Sequence, residues 1–152
     1  MLVELKRKGL IRQIGLSNVT PAQLAEEQSL TDIVCVQNFY NVAHRNDDLF
    51  IDDLARQKIA YVPFFPLGGF NPLQSGVLDD VAKSLGATSM QVALAWLLER
   101  SPNILLIPGT SSVQHLRENL VAAELTLPAE TLTRLNAIAA GSEHATQSTE
   151  KI

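Results

Sequence analysis

Four short apolar runs, each followed by a helix-like segment, constrain the fold of this chain more than any other feature. The runs begin at Ile11, Ile33, Ile59 and Ile104. The run from Ile33 to Val36 is continuous and β-branched, which is typical of a strand buried on both faces of a sheet. Because strands that alternate with helices usually pair in parallel, the order predicts a parallel α/β sheet. A doubly wound sheet and a (β/α) barrel both fit this pattern.

The segments between the runs carry helix-start and loop signals. Thr20-Pro21-Ala22-Gln23 and Thr88-Ser89-Met90-Gln91 predict capping boxes, and Ser111 to Gln114 fits the same pattern. Leu127-Pro128-Ala129-Glu130 predicts the start of a last helix. The stretch from Gly68 to about Ser84 is interpreted as a long loop, and loops of that length in compact domains are usually functional.

Composition narrows the classes of partner and the compartment. The chain has 152 residues and a formal net charge of -4, with no basic block, so neither nucleic acid nor an anionic membrane is an expected partner. No apolar run approaches the roughly 20 residues that span a bilayer. The single cysteine, Cys35, lies in an apolar run and is predicted to be a buried packing residue rather than a reactive thiol. A cytoplasmic location is expected.

Polar or glycine-rich residues follow each run, at the edge where parallel α/β sheets bind ligands. Gly109-Thr110-Ser111-Ser112 precedes a helix, so it suits either a phosphate or an ordinary cap. Ser17, Asn18 and Gln37 can hydrogen-bond a neutral amide or cap loops. Phe64 is adjacent to a second phenylalanine, and because strand neighbours point to opposite faces, at most one of the two can stack on a ligand ring.

Catalytic groups are not visible at these strand ends. The three histidines, His44, His115 and His144, fall in predicted loop, helix and tail positions. No Asp, Lys and His converge on a tyrosine, and no cysteine–histidine pair has metal-ligand spacing. The sequence therefore predicts no catalytic residue and no metal in this chain.

The strand-end motifs together resemble those of the aldo-keto reductases. Lys8 to Asn18 is similar to the segment around the fifth barrel strand, and Val36 to Asn41 to the sixth. Phe64 to Gly69 resembles the seventh strand, and Ile107 to Ser112 with the helix after it resembles the eighth. The resemblance implies half of a TIM (β/α)8 barrel, with four parallel strands each followed by a helix and a further C-terminal helix.

The resemblance also implies an NADP(H) site. Ser17, Asn18 and Gln37 match the residues that hold the nicotinamide carboxamide, and Phe64 matches the aromatic position that stacks on the ring. A further set of positions matches the family residues that contact the pyrophosphate, the 2′-phosphate and the adenine: Leu67, Gly68, Gly109, Thr110, Ser111, His115, Glu118 and Asn119. Many members carry Lys at the position of Gly109 and Arg at that of His115. Hydroxyl and amide groups must replace those cations here, so NAD(H) stays an alternative.

The catalytic Asp, Tyr, Lys and His of the family come from the first four strands and match no residue here. We therefore expect residues 1–140 to be the cofactor-binding half of an aldo-keto reductase that reduces aldehydes or ketones, with a polar tail at 141–152. The chain alone is expected to be inactive. Its expected partners are the dinucleotide and a second half-barrel, either another copy or an N-terminal half. Alternatives are a non-enzymatic dinucleotide-binding or interaction module and a truncated relic.

Overall fold

A computed structural model describes residues 1–68 and 75–139 of the chain. The predicted tail at 141–152 and most of the Gly-Pro-rich segment after Gly68 lie outside the described residues. The three strands are Ile14–Ser17 (β1), Ile33–Gln37 (β2) and Ala60–Tyr61 (β3). The helices are Leu2–Arg7 (α1), Pro21–Gln28 (α2), Asp48–Arg56 (α3), Gly76–Leu85 (α4), Ser89–Arg100 (α5), Val113–Val121 (α6) and Ala129–Asn136 (α7), and a 3₁₀ turn spans Ala122–Glu124.

The strands form a parallel sheet in the order β1-β2-β3, as the alternation predicts. The fourth run adds one parallel bridge, from Tyr61 to Ile104, rather than a full strand. Its hydrogen bonds to β3 are Tyr61 N–H to Asn103 O at 2.8 Å and Leu105 N–H to Tyr61 O at 2.9 Å. The strand order thus continues through four runs, although the fourth contributes only this bridge.

One face of the sheet is packed beneath the helices. Val36, Tyr40 and Tyr61 are fully buried on this side, together with Trp96 and Leu97 of α5. Alternation along β2 explains the selection, because every second strand residue points to the same face. This face and the inner sides of α2, α3, α4, α5 and α7 form the hydrophobic core.

The opposite face of the sheet has little cover from the described residues. Gly15 and Ser17 of β1 are exposed, and Cys35 and Gln37 of β2 are partly exposed. Val34, which lies at a register shift, is 37% exposed. The prediction that β2 is buried on both faces is therefore wrong for this chain. The same uncovered face leaves Cys35 partly buried rather than fully packed.

The helix starts follow the sequence signals at two of three capping boxes. The Thr20 and Thr88 side chains accept from the third residue of their helices, and both boxes are closed by glutamine. The third prediction was wrong by one residue, because Ser112 rather than Ser111 caps α6. Gln114 instead donates to Glu118 at 2.9 Å.

The predicted loop from Gly68 to Ser84 is also wrong in its second half, where α4 forms. Ser75 caps this helix, and Gly86 ends it in the left-handed conformation at φ 63°. Leu78, Val81 and Ala82 are its buried residues, at the spacing of one helix face. Among the described residues, no single helix is long and apolar enough to cross a membrane; α4 and α5 pass that test only as a pair, bent by 92°.

Candidate dinucleotide-binding site

The ends of β1 and β2 bring three of the predicted residues together. Ser17 and Gln37 are direct partners in the parallel register, so their side chains lie on the same, uncovered face. Asn18 follows with a positive φ of 56° and donates its N–H to Gln37 O at 2.8 Å. Asparagine tolerates this left-handed conformation better than most residues. The result is a cluster of hydroxyl and amide groups at the carboxyl edge of the sheet.

The segment after β3 brings aromatic groups to the same edge. Phe64 bridges Phe39 in parallel, and their rings stack with centroids 5.8 Å apart. Phe65 has a φ of 54° and packs edge-on against both rings. The chain turns at Phe65, so the two adjacent rings contact each other at 5.5 Å and both line the cavity described next, and the prediction that they point to opposite faces is wrong. Phe39 was not among the predicted site residues, although its position two residues after Gln37 places it on the same face.

A cavity of about 360 Å³ lies between the end of β3 and the fourth run. Three predicted residues line it, namely Phe64, Leu67 and Gly109, together with Ile107 and Pro108. A Cβ added at Gly109 would meet no atom within 4 Å, so protein packing does not require glycine there. The open space leaves the Gly109 backbone accessible to a ligand. Gly68 turns next to this cavity at φ 90°, donating its N–H to Phe65 O at 3.0 Å.

The start of α6 follows the cavity. Thr110 and Ser111 are exposed, and the Thr110 hydroxyl accepts from Ser112 N–H at 3.1 Å. His115 lies in the first turn of α6, exposed, with its N–H donating to Ser112 Oγ at 3.3 Å. Helix N-termini attract anions through free N–H groups and the helix dipole. The remaining predicted residues, Glu118 and Asn119, follow at i+3 and i+4 from His115, on the same side of α6.

A buried polar network connects the ends of all three strands, and it was not predicted. Asn38 is only 7% exposed. Its side chain donates to Val19 O and to Asp47 Oδ2, both at 2.8 Å, and accepts from Val19 N–H at 3.0 Å. Asp47 also accepts from the Tyr61 hydroxyl at 2.8 Å. The sequence signal is the alternation in β2, which puts a polar residue at a position facing the helices.

The two tyrosines of the chain are structural in this arrangement. Burial and a hydrogen bond to Asp48 raise the pKa of Tyr40 well above its ordinary value. Burial and the bond to Asp47 raise the pKa of Tyr61 further. Neither hydroxyl is therefore poised to release a proton near neutral pH. Within residues 1–68 and 75–139, no group of three or more His, Cys, Asp or Glu side chains could hold a metal ion.

Comparison with known proteins agrees with this parallel α/β half-barrel. The family model of the aldo/keto reductase family matches residues 1–140. The chain is 67% identical over 138 residues to pyridoxine 4-dehydrogenase of Escherichia coli, covering 91% of this chain and 48% of that protein. The chain belongs to the aldo/keto reductase family.

Solved structures of the family share the fold. A thermostable aldo-keto reductase in complex with the inhibitor epalrestat matches with a TM-score of 0.82 at 36% identity, covering 90% of this chain and 52% of that one. An aldo-keto reductase from Klebsiella pneumoniae in complex with NADPH matches with a TM-score of 0.80 at 25% identity, covering 90% and 51%. The chain thus spans about half the length of the relatives it matches.

Proposed function

We propose that this chain is the NADP(H)-binding half of an aldo-keto reductase, an oxidoreductase that interconverts carbonyl compounds and alcohols. The observation that carries the proposal is the placement of the strand ends. Ser17 and Gln37 are register partners at the carboxyl edge of the sheet, and Phe64, Leu67 and Gly109 line one cavity beyond the next strand. That edge is where parallel α/β folds bind dinucleotides and substrates.

The nicotinamide end of the cofactor fits the polar cluster at β1 and β2. A carboxamide has one acceptor and two donors, and Ser17, Asn18 and Gln37 offer hydroxyl and amide groups of both kinds. The Phe64 ring, which lines the neighbouring cavity, is suited to stacking on the pyridine ring. When bound, the cofactor would supply the hydride, and these residues would orient its nicotinamide ring.

The phosphate end fits the region from Leu67 to the start of α6. Leu67 and Gly68 would lie along the pyrophosphate, while Gly109, Thr110 and Ser111 would hold the 2′-phosphate through hydroxyl and backbone groups. His115 stands exposed in the first turn of α6, where an arginine is common in relatives, and Glu118 and Asn119 would meet the adenine. We propose NADP(H) as the preferred cofactor, with NAD(H) as the competitor to test.

A second half-barrel is proposed to complete the protein. The uncovered sheet face and the single-bridge edge at Ile104 leave backbone groups without strand partners in the described part of the chain. The last run and α6 also expose large apolar side chains: Leu105 57%, Ile107 46%, Val113 67%, Leu116 50% and Leu120 66%. The spacing of Val113, Leu116 and Leu120 puts them on one face of α6, and an exposed apolar face of this kind suits an interaction site. The missing acid–base groups would come from that half.

Calorimetric titration of the full chain with NADPH and with NADH tests the proposal. We expect saturable binding that is tighter for NADPH. Replacing Phe64 by Ala should weaken NADPH binding roughly 2- to 12-fold, the value of one aromatic stack, whereas Phe64→Tyr should retain it. A folded chain that binds neither dinucleotide would overturn the proposal.

A parallel measurement addresses the second half. Light scattering on the chain alone, and after mixing with the N-terminal half of a close relative, separates pairing with another copy from pairing with a complementary half. Carbonyl reduction with NADPH is expected only in the mixture, with pyridoxal-type aldehydes as first substrates in view of the 67% identical relative. Turnover by the chain alone would contradict the assignment of the acid–base groups to the other half.

A further inference from the structure

The end of β1 is held by an unusual side-chain clamp. Val19, which follows the left-handed Asn18, has both of its backbone polar groups bonded to one side chain. The Asn38 amide accepts from Val19 N–H at 3.0 Å and donates to Val19 O at 2.8 Å. Asn38 thereby replaces the backbone ladder at the point where β1 and β2 diverge. On either side, Asn18 N–H bonds Gln37 O at 2.8 Å and Thr20 N–H bonds Gln23 Oε1 at 2.9 Å.

The clamp is itself fixed from behind by Asp47. This residue occupies the N-cap position of α3, where an aspartate usually accepts from the first helical N–H groups. Here its side chain makes no cap hydrogen bond. Its Oδ2 instead accepts from Asn38 Nδ2 and from the Tyr61 hydroxyl, each at 2.8 Å. The carboxylate therefore orients the Asn38 amide and does not cap α3.

The network therefore connects β3 and α3 to the backbone that carries Ser17 and Asn18. Among the described residues, no buried side-chain polar atom is left without a partner, so the Asn38 amide has one satisfied orientation. Rotating it by 180° would place its N–H₂ group against Val19 N–H and its oxygen against Val19 O and Asp47. A fixed amide fixes Val19, and with it the left-handed turn at Asn18.

We infer that Asn38, held by Asp47 and Tyr61, is a positioning residue that sets the β1 end for the nicotinamide carboxamide. The inference rests on the proposed function, because it assigns a role within the same cofactor site. Asn38 does not touch the cofactor: it is buried on the helix side of the sheet, whereas Gln37 and Ser17 lie on the open face. Its effect is transmitted through the backbone of Val19 to Asn18.

The test compares two ligands that share only the adenosine end. NADPH needs both ends of the site, whereas adenosine 2′,5′-bisphosphate needs only the phosphate and adenine end. In the full chain, Asn38→Ala and Asn38→Asp should weaken NADPH binding roughly tenfold, as expected for the loss of one or two hydrogen bonds. Affinity for the bisphosphate should change less than about twofold. The fluorescence of the reduced nicotinamide directly reports how the nicotinamide end of NADPH is bound.

Asn103 offers a matched control. Its amide donates to Ile59 O at 2.9 Å and accepts from the Ser101 hydroxyl at 2.7 Å, so it also clamps a strand, but at the amino edge of the sheet. Asn103→Ala should lose similar stability and bind both ligands as the unaltered chain does. Tyr61→Phe keeps the buried ring and removes one bond to Asp47, so a weakening of about threefold for NADPH alone is expected.

The outcomes separate this inference from the proposed function. If the unaltered chain binds no NADPH, the proposed function fails and the inference fails with it. If it binds NADPH but the Asn38 and Tyr61 variants bind equally well, or lose both ligands equally, the inference alone is overturned. Should the Asn38 variants not fold, hydrogen exchange on the unaltered chain decides, because rapid exchange of the Val19 amide would show that the clamp does not hold.

Discussion

Gly15 is the position where a single added methyl group should report the strand pairing most sharply. A Cβ at Gly15 would lie 2.4 Å from Cys35 Sγ and 3.2 Å from Cys35 O. The first distance is far below van der Waals contact, and the second is tight. Gly15 is not among the residues with positive φ, so alanine would meet no backbone strain. The cost of Gly15→Ala is therefore steric and directed at one sulfur atom.

The expected loss is about 1–3 kcal/mol of unfolding free energy, the usual range for an overpacked site. Removing the sulfur should relieve most of it, because the remaining contact with Cys35 O requires a shift of only a few tenths of an ångström. Cys35→Ala alone should cost about 1 kcal/mol, since the side chain is only partly buried. The double variant should thus recover about 1–2 kcal/mol relative to the sum of the two single losses.

Urea unfolding of the four proteins in this cycle measures the coupling. With an m value near 2 kcal/mol per molar, a 2 kcal/mol loss lowers the midpoint by about 1 M. Additive losses in the double variant would refute the reasoning, because they would show that Gly15 and Cys35 do not face each other. An unchanged midpoint for Gly15→Ala would contradict the register Gly15↔Cys35 as well.

Three further perturbations remove particular side-chain contacts and can be measured by the same urea unfolding. Thr88→Ala removes the side chain that accepts from Gln91 N–H at 3.1 Å and should cost about 1 kcal/mol, whereas Thr88→Ser should retain most of the stability. Arg100→Leu removes its 2.8 Å bond to the backbone carbonyl of Asp48 together with its ion pairs to the Asp48 and Asp52 side chains, and should cost about 1–3 kcal/mol. A loss under about 0.5 kcal/mol would contradict this. Burial raises the pKa of Asp48, but the hydrogen bond from Tyr40 and two neighbouring guanidinium groups together lower it below its ordinary value. The stability that this carboxylate contributes is therefore present above the unfolded pKa of about 3.9 and is lost as pH falls through the lower folded value. In Asp48→Asn, the unfolding free energy should therefore fall less steeply with decreasing pH in the acid range.

The repeating order of runs and helices made the fold predictable, while the extent of each strand was not. The third run is mostly apolar from Ile59 to Leu67, but the regular part of β3 spans only Ala60–Tyr61. Pro63 and Pro66 lack N–H groups, and Phe65 turns the chain at φ 54°. Apolar residues continue beyond Tyr61, whereas the regular backbone pairing of β3 does not. Hydrophobicity predicts burial, whereas ladder pairing depends on donors and on φ.

The missed helix α4 had a readable signal. Ser75 and Gly86 mark its two ends, and Leu78, Val81 and Ala82 repeat at helical spacing between them. The glycines and proline after Leu67 favoured a loop and masked this pattern. The one-residue error at α6 has another origin, since Ser111 and Ser112 are equally able to cap and only the path of the chain after the fourth run selects the second.

The candidate site residues could be proposed from the sequence because they follow strand ends, whereas the residues that hold them in place could not. Ser17 and Gln37 are the last residues of β1 and β2, and local polarity in the sequence is enough to single them out. Asn38 bonds Asp47, which is nine residues away in the sequence, and Val19, which is nineteen residues away. Such long-range pairings depend on the tertiary register of β1 and β2, which no local pattern encodes.

Mapping NADPH onto the chain by amide chemical shifts tests the central claim most directly. A polar cavity of about 400 Å³ lies at the amino edge of the sheet, lined by Gln28, Thr31 and Gln57 among others. The account predicts shifts at Ser17, Asn18 and Gln37, in the segment from Phe64 to Gly68, and from Gly109 to His115. Shifts that gather at the amino-edge cavity instead, or a folded chain with no shifts at saturating NADPH, would contradict it.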